Sequence, residues 1–279
     1  MIEKCLSVIV IPIYKSFSDL TTEELQSLKS TCNHLGRHPH VLFGPGNLDW
    51  NEYSKFYHSC DINIDVKIFD AKYFSDVWGY NKLLKSVRFY EKFENYKYIL
   101  IFQTDAYILK DDFDFWCNKE YDYIGSPWFE NWGLDKSENK IIGVGNGGFS
   151  LRNVKSTIRI LKRAKWLLDI RSVWFKSHLQ GLVRFENVII LFKHYFKIKN
   201  MKLLNDILLA PYVNEDYYLS QSLAGFFSDY KVAPVEDAIK FSFEVNPSLL
   251  YKMNDNQLPF GCHAWEKNEP EFWSSIIGK

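Results

Sequence analysis

The chain opens on apolar runs that are continuous instead of alternating. Ser7-Val-Ile-Val-Ile-Pro-Ile13 has no polar face, so it predicts a strand buried on both sides, with Pro12 at its carboxyl end where the ladder can lose a donor. A helix follows, because Thr21 and Glu24 form a capping-box pattern and Leu25, Leu28 and Leu35 recur at helical spacing. His40 to Gly44 reads as a second strand, with Pro45-Gly46 as its turn, and Ile64 to Phe69 as a third. Tyr98 to Gln103 is again apolar throughout, too short for an ordinary helix, and runs through Thr104 onto Asp105. The pattern predicts a doubly wound α/β fold, with a mostly parallel central sheet flanked by helices.

Between and beyond these strands the pattern is more mixed. A helix is expected from Leu83 to Phe93, with Asn81 and Lys82 at its N-terminus, where backbone donors suit a phosphate and a solvated surface cap is the plain alternative. Tyr121 to Trp128 predicts a strand running into a loop that carries Trp128, Phe129 and Trp132, either a saccharide platform or a structural cluster. Phe149-Ser-Leu is strand-like, Tyr217 to Ala224 helical, and Ala238 to Glu244 a further strand candidate.

Composition adds three constraints. Aromatic residues make up 17% of the 279 positions, which suits clefts that stack on sugars or bases as well as ordinary cores. Lys plus Arg and Asp plus Glu both number 34, so the net charge is zero and nucleic acid is not an expected partner. The five cysteines are scattered and in no metal-type spacing, which favours a reducing, cytoplasmic setting. The N-terminal apolar run lacks a cleavage site and no stretch is long enough to span a bilayer, so the expectation is a soluble or peripheral protein.

Charge is unevenly distributed. Residues 153–205 are rich in Lys and Arg, hold only Asp169 and Glu186 as acids, and interleave aromatics such as Trp166, Trp174, Tyr195 and Phe196. They predict a basic, aromatic-rich helical insertion in a single domain spanning 1–279. Such a helix could face an anionic membrane surface, a partner or plain solvent.

Candidate chemistry gathers at a few positions. Asp105, at the carboxyl end of a central strand, could hold a divalent cation against phosphates or merely cap the next turn. Gly143-Val-Gly-Asn-Gly-Gly148 places four glycines in six positions, which lets a backbone approach a ligand or form a hairpin. No Gly-Lys-Ser/Thr follows, so it is not a phosphate-binding P-loop. Glu215 and Asp216 precede a helix, where one could act as a general base or both could cap. His263, in a Gly- and Pro-containing loop, is a plausible ligand for a Mn²⁺-like metal.

Taken together, the Pro12 strand, Gln103-Thr-Asp105, Gly145-Asn-Gly-Gly-Phe-Ser-Leu-Arg152, Asn214-Glu-Asp216 and Pro259-Phe-Gly-Cys-His-Ala-Trp265 resemble a bacterial family of GT-A-fold glycosyltransferases long catalogued as a domain of unknown function. The resemblance runs over nearly the whole chain and is weakest between Lys155 and Lys202. It implies a GT-A-like sheet and transfer of a sugar from a nucleotide-sugar donor to a saccharide or glycolipid hydroxyl, in cell-surface polysaccharide synthesis; the basic segment adds the inner face of the cell membrane as an expected location. The resemblance further implies Mn²⁺ or Mg²⁺ held by Asp105 and His263, and an inverting base at Asp216 or, failing that, Glu215. Pro12, Tyr14, Lys15, Tyr80, Asn81, Lys82, Gln103 and Thr104 would surround the nucleotide, with Asn146, Gly147 and Gly148 along the donor sugar. In GT-A enzymes the strand ends on Asp-x-Asp; here the first acid is replaced by neutral Gln103. A nucleotidyltransferase, or a nucleotide- or saccharide-binding module without activity, are the other classes this pattern admits.

Overall fold

The computed structural model describes residues 6–130, 140–178 and 212–277. Its centre is a six-stranded sheet in the order β3-β2-β1-β4-β9-β6. The strands are β1 (Ser7–Pro12), β2 (His40–Pro45), β3 (Ile64–Phe69), β4 (Tyr98–Phe102), β6 (Tyr123–Ile124) and β9 (Phe149–Asn153). β3, β2, β1 and β4 are mutually parallel, and β9 runs antiparallel to both β4 and β6. The expected α/β architecture is therefore present, with β1, β2 and β3 within a residue of their expected bounds.

Both faces of the sheet are buried, which is why its strands read as unbroken apolar runs. Val8, Val10, Ile99 and Ile101 face one core with Leu83, Phe89, Ile160 and Leu161. Ile9, Ile11, Leu100 and Phe102 face the other with Leu28, Tyr53, Tyr57 and Trp116. The first layer is built by α3 (Val77–Leu84), α4 (Val87–Glu91) and α6 (Val154–His178). The second is built by α1 (Thr22–Leu35), α2 (Asn51–His58) and α5 (Phe113–Cys117). α1 starts on the expected capping box, with the Thr21 hydroxyl accepting from Glu24 N–H and the Glu24 carboxylate from Thr21 N–H. α6 is the first part of the basic segment, and its Val154, Ile160, Leu161 and Ala164 are buried in the core while Lys155, Arg159, Lys162 and Lys165 stay exposed. Residues 179–205 of that segment, and Trp132, lie outside the described residues.

Two small sheets crown the carboxyl edge. β5 (Ala106–Ile108), immediately after Asp105, pairs antiparallel with β11 (Gly261–His263), which pairs with β10 (Ser242–Phe243). β7 (Ser126–Phe129) and β8 (Ile141–Gly145) form an antiparallel pair.

Three expectations are corrected. The helix expected from Leu83 begins at Val77, with the Asp76 side chain accepting from Gly79 N–H, and it breaks before α4. Asn81 and Lys82 therefore lie toward its C-terminal end, away from the phosphate-favouring terminus. The strand expected over 238–244 is mostly the helix Val235–Phe241, entered from Pro234 with Glu236 and Asp237 in its first turn; only Ser242–Phe243 pairs as strand. Trp128 and Phe129 are buried in β7, not displayed on a loop.

Candidate active site

The site forms where β1 and β4 end and β9 begins. Because β9 is antiparallel to β4 with Phe149 opposite Phe102, the glycine stretch just before β9 comes back over the end of β4. Gln103 N–H donates to the Gly148 carbonyl at 2.8 Å, which ties the two together. Asn146 shapes the turn: its φ is 83°, in the left-handed region, and its carboxamide oxygen accepts from Gly148 N–H and Phe149 N–H. Its amide donates to Ser126 Oγ and its carbonyl accepts from the Tyr123 hydroxyl. Asn146 is thus fully engaged in holding Gly147 and Gly148 in place.

Those two glycines join the two halves of the site. A methyl group on Gly148 would overlap the His263 imidazole, and one on Gly147 would overlap the Glu215 carboxylate and lie beside Asp216. The β5 and β11 register sets His263 opposite Ala106, next to Asp105. His263 Nε2 is 3.1 Å from Asp105 Oδ1 and 3.3 Å from Gln103 Oε1, while its Nδ1 is 2.8 Å from Glu244 Oε1. Burial disfavours a charged ring, but hydrogen bonds to the Asp105 and Glu244 carboxylates and their charges outweigh it and raise the His263 pKa to about 10. Lys267 Nζ is 2.8 Å from Asp105 Oδ2. Burial opposes the charge on Asp105 as well, yet His263 and Lys267 together hold its carboxyl well below the usual range.

On the other side of the glycines, Glu215 and Asp216 have diverged. Arg152, itself fully buried on β9, grips Glu215 with two hydrogen bonds, Nη1 to Oε2 at 2.7 Å and Nη2 to Oε1 at 3.0 Å. Arg152 also donates to the Tyr90 hydroxyl and Ser150 Oγ. Asn81 fixes the backbone of the same corner, its Oδ1 accepting from Glu215 N–H at 2.6 Å and its amide donating to Val77 O and Asn214 Oδ1. Asp216 is half-buried, and its carboxylate takes a hydrogen bond from its neighbour, Tyr217 N–H. Burial and the adjacent Glu215 charge push its pKa up to about 7. That value is suited to a base working near neutral pH.

The remaining expected residues split into two groups. Lys15 ion-pairs with Glu24 at 2.6 Å, Thr104 Oγ1 donates to the same carboxylate, and Glu24 closes the α1 capping box, so one acid links the ends of β1 and β4 to α1. Tyr14, 43% exposed, meets Tyr80 edge-on at 6.2 Å, and Tyr80 stacks on Phe43. Pro12 ends β1 opposite Phe43. Lys82 is different: it is exposed and lines a groove between α3, α4 and α6. Residues the sequence did not single out are Arg152, Glu24, Glu244 and Lys267. Arg152 closes the glycine motif just before the basic segment, and nothing in its local pattern marks it for burial. Glu24 was recognised for its cap alone. Glu244 and Lys267 carried no local signal.

One carboxylate oxygen, one imidazole nitrogen and one amide oxygen therefore converge, from Asp105, His263 and Gln103, with Gly148 leaving room beside the ring. With the pKa of His263 raised to about 10 its Nε2 carries a proton, and only once an ion displaced that proton would this donor set fit Mn²⁺ or a similar metal, with Glu244 orienting the imidazole from behind. Among the described residues no group of three or more His, Cys, Asp and Glu side chains gathers to cage a metal.

Fold and site define a mixed α/β protein whose acids, glycines and cations meet beyond the carboxyl ends of a parallel sheet, where such folds take ligands. The chain belongs to the family described as Protein of unknown function (DUF5672), whose model matches residues 63–263. A search of curated sequences finds no match. Among solved structures it is similar to the glycosyltransferase GlyE of Streptococcus pneumoniae TIGR4, at 13% identity and TM-score 0.44, covering 97% of this chain and 59% of that one. The chain thus spans about three fifths of the length of GlyE. It is also similar to an active-site mutant of LgtC, at 12% identity and TM-score 0.48, covering 97% and 95%. A third is core-mannan synthase A of Aspergillus fumigatus in its Mn/GDP form, at 13% identity and TM-score 0.46, covering 84% and 74%.

Proposed function

We propose that the protein is an inverting glycosyltransferase that moves a sugar from a nucleotide-sugar donor to a hydroxyl of a saccharide or glycolipid acceptor, in cell-surface polysaccharide synthesis at the inner face of the membrane. The observation that carries this reading is the pair Gly147-Gly148, with Gly148 packed against His263, the partner of Asp105, and Gly147 against Glu215 and Asp216. A cation-binding or cationic end therefore stands a glycine's width from an acid poised near neutrality.

The residues divide the work. Tyr14, Tyr80 and the Lys15-Glu24-Thr104 link form the nucleotide side. Gly147 and Gly148 let the donor sugar approach the backbone. Arg152 and Asn81 clamp Glu215 and so hold Asp216, which takes the acceptor proton as the hydroxyl oxygen attacks the anomeric carbon opposite the diphosphate. Asp105, His263 and Gln103 would hold Mn²⁺ or Mg²⁺, which would offset charge on the departing diphosphate. A second reading has the Lys267 ammonium and the His263 imidazolium supply that charge alone, and Lys267 within 2.8 Å of Asp105 favours it. The exposed cations of α6 support contact between segment 153–205 and an anionic membrane surface. No helix among the described residues is long and apolar enough to cross a membrane.

Asp216→Asn should lower transfer by about 10²- to 10⁴-fold while donor binding persists. The product linkage, read by NMR, should be inverted relative to the donor. A product of retained configuration would remove Asp216 from the role of base.

A further inference from the structure

A cavity of about 760 Å³ opens between α3, α4 and α6, on the face of the sheet these helices cover and apart from the Asp105 end of the site. Its volume falls within the roughly 300–1,000 Å³ of ordinary small-molecule pockets. Its walls combine two chemistries. Lys82, Arg88 and Lys165 reach it from three different helices and have no carboxylate partner among the described residues. Leu161 and Leu168 provide an apolar floor, and Trp78, 58% exposed, stands at the edge.

Clustered like charges repel one another unless an anion offsets them, and exposed apolar side chains beside them favour a ligand with a hydrocarbon part. Asp76 also lines the groove, but its carboxylate is engaged in capping α3. The groove has two lining residues that adjoin the segment carrying the candidate base. Lys85 lines it and donates to the Val213 carbonyl at 2.6 Å, three residues before Asp216, and Tyr218 lines it two residues after.

We propose that this groove binds the phosphate and proximal hydrocarbon of a phosphorylated lipid acceptor, with Lys82, Arg88 and Lys165 around the phosphate and Trp78, Leu161 and Leu168 along the chain. The binding site stands on the cavity and its charge. The word acceptor rests on the transferase reading above. Placement of the phosphate here directs the remainder of such an acceptor past Lys85 toward Asp216.

The test is titration calorimetry of the full chain with dodecyl phosphate, dodecyl maltoside and inorganic phosphate, below micellar concentrations. A parallel thermal-shift panel of nucleotide sugars is run on the same samples. Dodecyl phosphate should bind at least about tenfold tighter than either control, since only it offers both charge and chain. Arg88→Glu combined with Lys165→Glu, two exposed positions on α4 and α6, should weaken it by about tenfold or more with circular dichroism and nucleotide-sugar response unchanged. Trp78→Ala should weaken it without altering inorganic phosphate binding.

Equal affinity for dodecyl phosphate and inorganic phosphate would overturn the lipid assignment. Equal affinity in the charge-reversed variant would overturn the groove as its location. Either result with a preserved nucleotide-sugar response leaves the transferase reading standing. Absence of any nucleotide-sugar response overturns that reading and the acceptor role with it, whatever dodecyl phosphate does.

Discussion

At Glu215 both carboxylate oxygens are taken by a buried arginine, whereas its neighbour Asp216 is half-buried and, among the described residues, held through Tyr217 N–H. The two acids therefore answer to different measurements. Removing one partner of a buried ion pair strands the other, so Arg152→Met should cost roughly 3–5 kcal/mol in urea unfolding. Glu215→Gln in the same chain should recover part of that loss. At Asp216 the sign is reversed. The unfolded chain releases this proton near the ordinary aspartate value, while the folded protein holds it to about 7. Between those values the folded state binds more protons, so stability falls as pH rises through that window and the loss is complete above about pH 7. Asp216→Asn should therefore stabilise the fold at about pH 8, on the order of 2 kcal/mol, and have little effect at about pH 4. The same ionisation should make transfer rise with pH toward a plateau above about pH 7, a limb that Asp216→Asn removes. Which acid remained available was not legible in the sequence, because a buried arginine sixty-odd residues earlier decides it.

At the scale of elements, the glycine stretch before β9 is the joint of the site. Its composition announced a close backbone approach, but not to what; the antiparallel pairing of β9 with β4 supplies that. Gly148→Ala should force the His263 ring away from Asp105, abolishing any metal-dependent nucleotide-sugar response and destabilising the fold by about 1–3 kcal/mol. Thermal shift with and without Mn²⁺ checks both effects. Central strands were legible because burial on both faces leaves unbroken apolar runs. α3 was less so: Gly79 lies inside it where a side chain would overlap the Lys72 carbonyl, and Trp78-Gly79 reads locally as a turn. Ile239, Phe241 and Phe243 alternate like a strand, but Val235, Ala238 and Ile239 also recur at helical spacing, and with Pro234, Glu236 and Asp237 at the start the helix wins up to Phe241.

For the whole molecule, the site is an assembly from both ends of the chain. β1 and α1 supply Lys15 and Glu24, the middle supplies Asp105, Gly148 and Arg152, and the last strand supplies His263. Family membership covers residues 63–263 and so contains most, but not all, of these positions. The acids, glycines and histidine stand in the sequence as separate motifs; Glu244, which follows β10 where it pairs with β11, and Lys267, in the turn after β11, set the charge of the Asp105-His263 pair and have no pattern of their own. The central claim is donor binding at the Asp105 end. Its most direct test is a thermal-shift and donor-hydrolysis panel of UDP-, GDP-, dTDP- and CMP-linked sugars, with and without Mn²⁺, on wild type and Asp105→Ala. One donor class should stabilise the wild type and do so less in Asp105→Ala, with Mn²⁺ dependence separating the metal-assisted form from the Lys267-assisted one. No response to any nucleotide sugar, or an equal response in Asp105→Ala, would contradict it.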